Sequence, residues 1–248
     1  AQSPLNNYDV LIGKLPSNQE LQQYRYLLVP GYLSDWAPFY FAPTLKRMKE
    51  MGLDVQIARE VKVPAIKDGT VKTVGVKTYR PVERNMWILR KMILASDKRV
   101  VLIGHSKGGV EALGTILKYA PELKDKIACI IPVQAPLGGT VLADWGLESA
   151  PFYIRFIAKF LPGLGDLSSK KRQAFLKHWQ ARDLPVPVLT VGTAMGKGNR
   201  SVWAIPQAAI DHYASEPSDG AVETASTRIT GVPSITLENI SHTELFLP

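Results

Sequence analysis

The chain has 248 residues, which is enough for one large domain with its own core. With 46% hydrophobic and 21% charged residues, it is neither a disordered nor a fibrous protein. The net charge of +8 comes from dispersed basic residues, so it argues against nucleic-acid binding and favours only a weak attraction to acidic surfaces or lipid headgroups.

Apolar runs rich in β-branched residues recur along the chain, with helical patterns between them. They predict strands at 25–30, 53–58, 99–104, 127–133, 186–192 and 234–240. Apolar stripes with helical spacing stand at positions 82, 86, 89 and 93 and at positions 110, 113 and 117. This alternation predicts an α/β protein with a mainly parallel central sheet and helices on both faces.

A long insertion separates the fourth and fifth predicted strands, with about fifty residues where a crossover helix needs far fewer. The insertion, at about 136–182, holds an apolar segment at 150–165 and an amphipathic helical pattern at 166–179. Asp166 or Ser168 is the expected cap of that helix. One interpretation is a helical insertion packed on the core. The other, which we favour, is a lid or cap over a site, within a single domain spanning 1–248.

The third strand ends in the sequence VLIGHSKGGV, in which a serine stands between glycines. Gly104, Ser106 and Gly108 fit the pattern G-x-S-x-G, which is weak alone but lies here between a strand and a helix, as a nucleophilic serine requires. The glycines allow a sharp turn, and the start of the following helix favours developing negative charge. An ordinary glycine-rich loop is the alternative.

A nucleophilic serine needs a general base, and the sequence has four histidines. His105 adjoins the serine and points elsewhere, His178 lies in the insertion, and His212 lies on a predicted helix. His242 follows the last strand. Because parallel strands share a direction, His242 is expected at the same sheet edge as Ser106, and we predict that it is the base.

The base needs a carboxylate that fixes its tautomer and stabilises its charged form. Asp219 stands in the loop between the last two strands and is our candidate. Asp211 and Glu216 are nearby alternatives for this role. Asp219 and Gly220 could also form an ordinary Asp-Gly turn without a catalytic role. The predicted catalytic residues therefore follow the chain order Ser106, Asp219, His242.

The oxyanion of an acyl-transfer intermediate needs two backbone N–H donors. We expect one from Lys107, directly after the serine, and one from Tyr32, where Gly31 lets the backbone come close. Leu33 is the next candidate donor, and a simple Pro-Gly turn is the alternative. Predicted substrate contacts are Leu33, His105, Phe152, Tyr153, Ile154, Phe156, Ile157 and Phe160.

Together these segments resemble the α/β-hydrolase family, and within it the bacterial lipase and esterase branch, from about Leu27 to His242. VPGYLSDW resembles the oxyanion loop, with Pro30-Gly31 in place of the usual His-Gly, and GHSKGG resembles the nucleophile elbow. QAPLGGTVLADW, DLSSKKRQAFL, SDGAV and ISHTEL resemble the segment after the next strand, the cap helix, and the acid and histidine loops. The resemblance implies an α/β-hydrolase fold and a Ser-Asp-His hydrolase that cleaves carboxylic esters through an acyl-enzyme.

The chain also departs from that family. Many members continue with a helix after the histidine loop, whereas only TELFLP follows His242 here, which indicates a short or truncated C-terminus. Some bacterial lipases have a calcium-binding aspartate where this chain has Glu244, so we expect no metal, and no cofactor. The single cysteine, Cys129, is expected in the core and allows no internal disulfide.

Two features bear on where the protein acts. The sequence starts at AQSP without a methionine, as a trimmed chain or a mature exported protein would, and we expect a secreted or periplasmic protein. No apolar stretch reaches the ~20 residues that a membrane span needs.

The leading functional hypothesis is hydrolysis of small-molecule or lipid esters with apolar acyl chains, with a lipid–water interface as a possible partner. The same site could instead cleave thioesters, phospholipids or polyesters, or transfer the acyl group to an acceptor other than water. A binding module without catalysis, using the apolar insertion as its surface, is the alternative from another class. The segment GTAMGKGN at 192–199 fits neither a P-loop nor a dinucleotide fingerprint.

Overall fold

The computed structural model describes most of the chain. The described residues are 16–32, 34–37, 39–59, 61–64, 71–159, 161, 163–177, 184–196, 210 and 217–246, with the backbone alone at 61–64, 71–74 and 157.

Six parallel strands form the central sheet. In chain order the strands are β1 (Arg25–Val29), β2 (Asp54–Ile57), β3 (Val61–Pro64), β4 (Val71–Val74), β5 (Val100–His105), β6 (Ile127–Val133), β7 (Thr190–Ala194) and β8 (Ser234–Glu238). The sheet order is β2-β1-β5-β6-β7-β8, and every pair in it is parallel. The prediction of a parallel α/β sheet is therefore confirmed.

Two details of the strands differ from the sequence prediction. β3 and β4 form a separate antiparallel hairpin that we did not predict, since short Val-Lys alternations were its only signal. β7 begins at Thr190 rather than at position 186. Because Pro185 and Pro187 have no N–H to donate, the described residues 184–189 make only an isolated bridge to the sheet, between Val188 and Ile130.

Helices cover the sheet. They are α1 (Asn18–Leu21), α2 (Ala42–Glu50), α3 (Val82–Leu94), α4 (Lys107–Leu123), α5 (Val141–Asp144), α6 (Phe152–Lys159) and α7 (Ser169–Leu176), and a π-helical turn (Trp145–Ser149) follows α5. The two apolar stripes of the sequence lie on α3 and α4, which confirms both predicted helices.

Successive residues of β1 pack into two hydrophobic cores, one on each face of the sheet. Leu27 and Val29 pack with the buried side chains of α3 and α4 on one face of the sheet. Tyr26 and Leu28 pack on the other face, where Phe41 and Phe246 cover them. Both faces of the central strands are therefore buried, as a parallel sheet requires.

The order of the strands places a crevice at one point of the sheet edge. The neighbouring strands β1 and β5 lead in opposite directions across the sheet, because β1 leads to β2 on one side and β5 leads to β6 on the other. In open α/β sheets, ligands bind at such a switch point, beyond the carboxyl ends of the strands. The segments that follow β1 and β5 begin at Pro30 and Ser106, and both lie there.

The insertion folds into short helices that contact the core through polar anchors. Ser168 occupies the N-cap position of α7, but its hydroxyl donates to the Gly165 carbonyl (2.9 Å), and the Asp144 carboxylate accepts from the Ser169 N–H (3.0 Å) instead. The Asp166 carboxylate accepts from the N–H of Val82 (3.0 Å), at the start of α3. The predicted capping side chains thus tie the insertion together and to the core. Within the described ranges, no helix is long and apolar enough to cross a bilayer.

Candidate active site

Ser106 occupies the sharp turn between β5 and α4. Its backbone has φ 52° and ψ −126°, which residues with a side chain rarely adopt. The turn is tight enough that a Cβ on Gly104 would lie 2.5 Å from the carbonyl oxygen of Gly108. The Ser106 N–H donates to the Val133 carbonyl (2.9 Å), so the neighbouring strand β6 also holds the turn.

Ser106, His242 and Asp219 are joined by hydrogen bonds. The Ser106 hydroxyl donates to Nε2 of His242 (2.9 Å), and Nδ1–H of His242 donates to Oδ2 of Asp219 (2.9 Å). The carboxylate facing Nδ1 assigns the proton of the neutral ring to that nitrogen. All three side chains are buried, and the His242 N–H also donates to the Asp219 carbonyl (2.9 Å).

Asp219 is held as an acceptor on both of its oxygens. Oδ1 accepts from the N–H groups of Ala221 (3.0 Å) and Val222 (2.9 Å), and Oδ2 accepts from the Thr193 hydroxyl (3.3 Å) as well as from the histidine. These donors hold the carboxylate in place, so that it can orient the ring of His242 and stabilise an imidazolium. The alternatives Asp211 and Glu216, and the histidines His178 and His212, lie outside the described residues.

The segment after β1 approaches the serine closely. A Cβ on Gly31 would lie 2.9 Å from Nδ1 of His105 and 3.1 Å from Cβ of Ser106. Tyr32 follows in the lining of the same cavity as Ser106. Lys107 is the first residue of α4, where backbone N–H groups have no partner within the helix. Leu33, the other candidate donor, lies outside the described residues.

Polar side chains that the sequence analysis did not single out brace this segment. The Asp35 carboxylate accepts from the Thr78 N–H (2.8 Å) and lies 3.5 Å from the Arg59 guanidinium. Arg59 also donates to the Ser34 carbonyl, and the Ser34 hydroxyl donates to the Gly31 carbonyl (2.8 Å). Arg59 and Thr78 lie far in sequence from the residues that they contact here, so no local pattern could have identified these two partners.

The Lys107 side chain points into the protein. It is 1% exposed and pairs with Glu111, one helical turn later, which is also 1% exposed. The Asn85 amide donates to the same Glu111 oxygen (2.7 Å). Burial raises the pKa of Glu111, although Lys107 and Asn85 act in the opposite direction. A buried ion pair therefore lies at the start of the helix that follows Ser106.

His105, a predicted substrate contact, lines the cavity but is engaged on both ring nitrogens. Nε2 lies 3.0 Å from Oε1 of Gln134 and 2.8 Å from the His242 carbonyl, and Nδ1 contacts the Tyr40 hydroxyl. Burial, reinforced by the neighbouring His242, holds the pKa of His105 well below its usual value. The ring is thus a neutral member of the protein's own hydrogen-bond network.

A mainly apolar cavity of about 370 Å³ opens beside Ser106. Its lining comes from the segments after β1, β5 and β6, from the insertion, and from the acid and histidine loops. The lining residues are Gly31, Tyr32, Ser34, Ala37, Tyr40, His105, Ser106, Pro136, Thr140, Leu142, Ala143, Leu164, Leu167, Ala221, Val222, His242 and Thr243.

The predicted aromatic substrate contacts of the insertion are not part of this lining. Phe152, Tyr153 and Phe156 on α6 are 79%, 65% and 54% exposed, so this helix presents its aromatic residues to solvent. The half-buried Ile154 does not line the cavity either. Smaller residues on the neighbouring turns, such as Leu142 and Ala143, take that place. The side chain of Ile157 and the whole of Phe160 lie outside the described residues.

Glu244, at the position of a calcium ligand in some lipases, accepts a hydrogen bond from the Ser241 N–H and so caps the histidine loop. Across the described ranges, no group of three or more His, Cys, Asp or Glu residues could hold a metal ion. Cys129 is half-buried on β6.

No protein-family model matches the sequence, and no curated protein sequence does. Solved structures do resemble it. The mature lipase BlEst2 of Bacillus licheniformis gives a TM-score of 0.69 at 15% identity, over 90% of this chain and 86% of that one. The metagenomic carboxyl esterase MGS0156 gives 0.67 at 21% identity, over 89% of this chain and 65% of that one.

A third similar structure is phospholipase PlaB of Legionella pneumophila, with a TM-score of 0.55 at 16% identity, over 83% of this chain and 45% of that one. The chain thus spans less than two thirds of the length of two of these three structures. The likeness defines the fold: the chain has the α/β-hydrolase fold.

Proposed function

We propose that the protein is a serine hydrolase that cleaves carboxylic esters of apolar acyl chains. One observation carries the proposal: Ser106, His242 and Asp219 are hydrogen-bonded in series, with Ser106 on a strained turn that opens on an apolar cavity. This is the arrangement of nucleophile, base and orienting carboxylate that acyl transfer needs. The α/β-hydrolase fold and its lipase and esterase neighbours support the same reaction class.

In the proposed reaction, Oγ of Ser106 attacks the ester carbonyl carbon while Nε2 of His242 takes the hydroxyl proton. Asp219 stabilises the imidazolium through Nδ1–H. The carbonyl oxygen becomes an oxyanion, which the backbone N–H groups of Tyr32 and Lys107 stabilise together with the positive end of α4. The intermediate collapses as His242 returns the proton to the leaving alcohol, and water then releases the acid from Ser106 by the same steps.

The cavity lining supports an apolar acyl group. Apolar residues of the insertion line the cavity together with apolar residues of the acid loop: Leu142, Ala143, Leu164 and Leu167 from the insertion, and Ala221 and Val222 from the loop. Burying methylene groups against such a wall contributes about 0.8 kcal/mol each. We therefore expect the rate to rise with acyl chain length until the cavity is full. Thioesters and polyesters remain alternatives that the shared chemistry of the site allows.

The exposed face of α6 supports a substrate that is presented at a lipid surface, and so a second candidate, phospholipid cleavage. Phe152, Tyr153 and Phe156 are exposed, and Arg155 and Lys159 on the same helix are exposed too. Aromatic rings interleaved with basic residues are typical of helices that lie on anionic membranes. A phospholipase is also among the similar structures.

Replacement of the proposed nucleophile is the primary test. We expect Ser106→Ala to abolish hydrolysis of p-nitrophenyl esters from acetate to octanoate, because the variant lacks the attacking oxygen. A fluorophosphonate probe should label Ser106 in the wild type, as peptide mapping would show. Ser96→Ala is the matched control, since the hydroxyl of the buried Ser96 donates to the Lys98 carbonyl (2.7 Å), accepts from the Lys98 N–H (3.3 Å) and does not line the cavity. Turnover retained by folded Ser106→Ala would contradict the proposal.

A further inference from the structure

Gln134 lies where β6 ends and is fully buried. Its amide nitrogen donates to the Thr193 hydroxyl (2.5 Å) and to the Ser241 carbonyl (3.0 Å), and its amide oxygen lies 3.0 Å from Nε2 of His105. Both donors and the acceptor of the side chain are therefore used. Its φ of 51° is unfavourable for a residue other than glycine, and such strain persists only where the surroundings impose it.

The direction of these hydrogen bonds is fixed. The His242 carbonyl, 2.8 Å from Nε2 of His105, can only accept, and a Gln134 amide turned over would place its oxygen against the Ser241 carbonyl. His105 must therefore carry its proton on Nε2, and its Nδ1 accepts from the Tyr40 hydroxyl. Burial, which holds the pKa of His105 well below its usual value, keeps the ring in this neutral form.

The network reaches the proposed base and its carboxylate from two sides. On one side, Gln134 bonds the Ser241 carbonyl and His105 bonds the His242 carbonyl (2.8 Å), so the backbone on which the base stands is held at consecutive residues. On the other side, the Thr193 hydroxyl that accepts from Gln134 donates to Oδ2 of Asp219 (3.3 Å). Gln134 itself does not line the cavity.

We propose that Gln134 is a positioning residue that holds His242 in register with Ser106 and Asp219. The inference rests on the proposed function. Because the amide acts through the backbone of the histidine loop and through Thr193, its loss displaces the base without removing a substrate contact. The chemical step slows, and substrate binding does not change.

The experiment compares Gln134→Met with two variants of its partner. Met keeps the length of the side chain and removes its hydrogen bonds. We expect kcat for p-nitrophenyl butyrate to fall about 10- to 100-fold with KM within about twofold of the wild type. Thr193→Val should lower kcat by a smaller factor, and Thr193→Ser, which keeps the hydroxyl, should restore it.

Thr115→Val is the matched control for loss of a buried polar group. Its hydroxyl donates to the Glu111 carbonyl (2.7 Å) within α4 and has no link to His242, so thermal stability should fall while kcat stays at the wild-type value. If Gln134→Met and Thr193→Val behave like this control, with lower stability and unchanged kcat, Gln134 serves packing alone and the inference is overturned. Should Gln134→Met not fold, Gln134→Asn is measured in its place, because its shorter side chain keeps a polar amide but cannot make all three hydrogen bonds.

Labelling of Ser106 by a fluorophosphonate separates this inference from the proposed function. A wild-type protein that the probe does not label would overturn the proposed function, whatever the variants do. Labelling of the wild type together with equally fast labelling of Gln134→Met would overturn the positioning role alone. We expect labelling of the wild type and slower labelling of the variant.

Discussion

The sheet edge around Ser106 and the insertion differ in how they are held. At the sheet edge, the buried side chains of Asp219 and Gln134 use every donor and acceptor they have on partners from the ends of strands and from the loops that follow them. In the insertion, α6 exposes its aromatic residues, and a few bonds such as that from Val82 to Asp166 tie the segment to the core. The first region favours a fixed geometry for chemistry, and the second favours a surface that meets other molecules.

Removal of the buried ion pair between Lys107 and Glu111 should cause the largest loss of stability at the sheet edge. Lys107→Met leaves the Glu111 carboxylate buried without its partner cation, which should lower the free energy of unfolding by about 3–5 kcal/mol. Urea denaturation followed by circular dichroism would measure the loss. A change below about 1 kcal/mol would show that the pair is dispensable for stability.

A second substitution tests whether the unpaired charge of Glu111 causes this loss of stability. Lys107→Met combined with Glu111→Gln should regain most of the stability, because the neutral amide introduced there still accepts from Asn85.

The pKa of Glu111 is raised by burial, so above its unfolded pKa the folded state binds more protons than the unfolded state, and stability falls as pH rises. Loss of Lys107 raises this pKa further. The deficit of Lys107→Met should therefore be smaller at pH 5 than at pH 8.

Substitutions on the exposed face of α6 should leave stability unchanged and lower activity on lipid surfaces. Replacement of Phe152, Tyr153 and Phe156 by Gln removes aromatic surface that is already in water, so stability should change by less than about 0.5 kcal/mol per site. Hydrolysis of an ester carried in anionic vesicles should fall about tenfold, which corresponds to a loss of about 1.4 kcal/mol in surface binding. Hydrolysis of a soluble butyrate ester should not change.

Trp87 provides the matched control for this surface. It is 36% exposed on α3 and does not line the cavity, so Trp87→Gln removes an exposed aromatic ring elsewhere on the protein. We expect it to leave the ratio of vesicle to soluble activity unchanged. Equal losses in that ratio for Trp87→Gln and the α6 variant would show that α6 is not a distinct lipid-binding face.

Features that depend on local sequence patterns could be predicted from the sequence, whereas features that depend on long-range contacts could not. The strands, α3, α4 and the turn at Ser106 follow from local patterns, and shared strand direction was enough to bring His242 toward Ser106. The roles of Gln134, Arg59 and Thr193 could not be predicted, because each depends on partners that folding brings from distant segments. Composition predicts that the insertion contributes to the cavity, as Leu142 and Leu164 do, but it does not say which face of α6 turns inward.

Tyr32 lines the cavity beside the serine, and its replacement gives the smallest expected effect. Burial raises the pKa of its phenol to about 12. Between pH 10 and 12 the folded state keeps a proton that the unfolded state has lost, so stability falls as pH rises through this window. Tyr32→Phe should make that fall less steep, measured by urea denaturation at pH 9, 10 and 11. It should change kcat by less than about threefold, because Phe keeps the backbone N–H proposed to bind the oxyanion. An unaltered pH dependence of stability would mean that the phenol ionises at the same pH in the folded and unfolded states, and a large loss of kcat would mean that the phenol takes part in the chemistry.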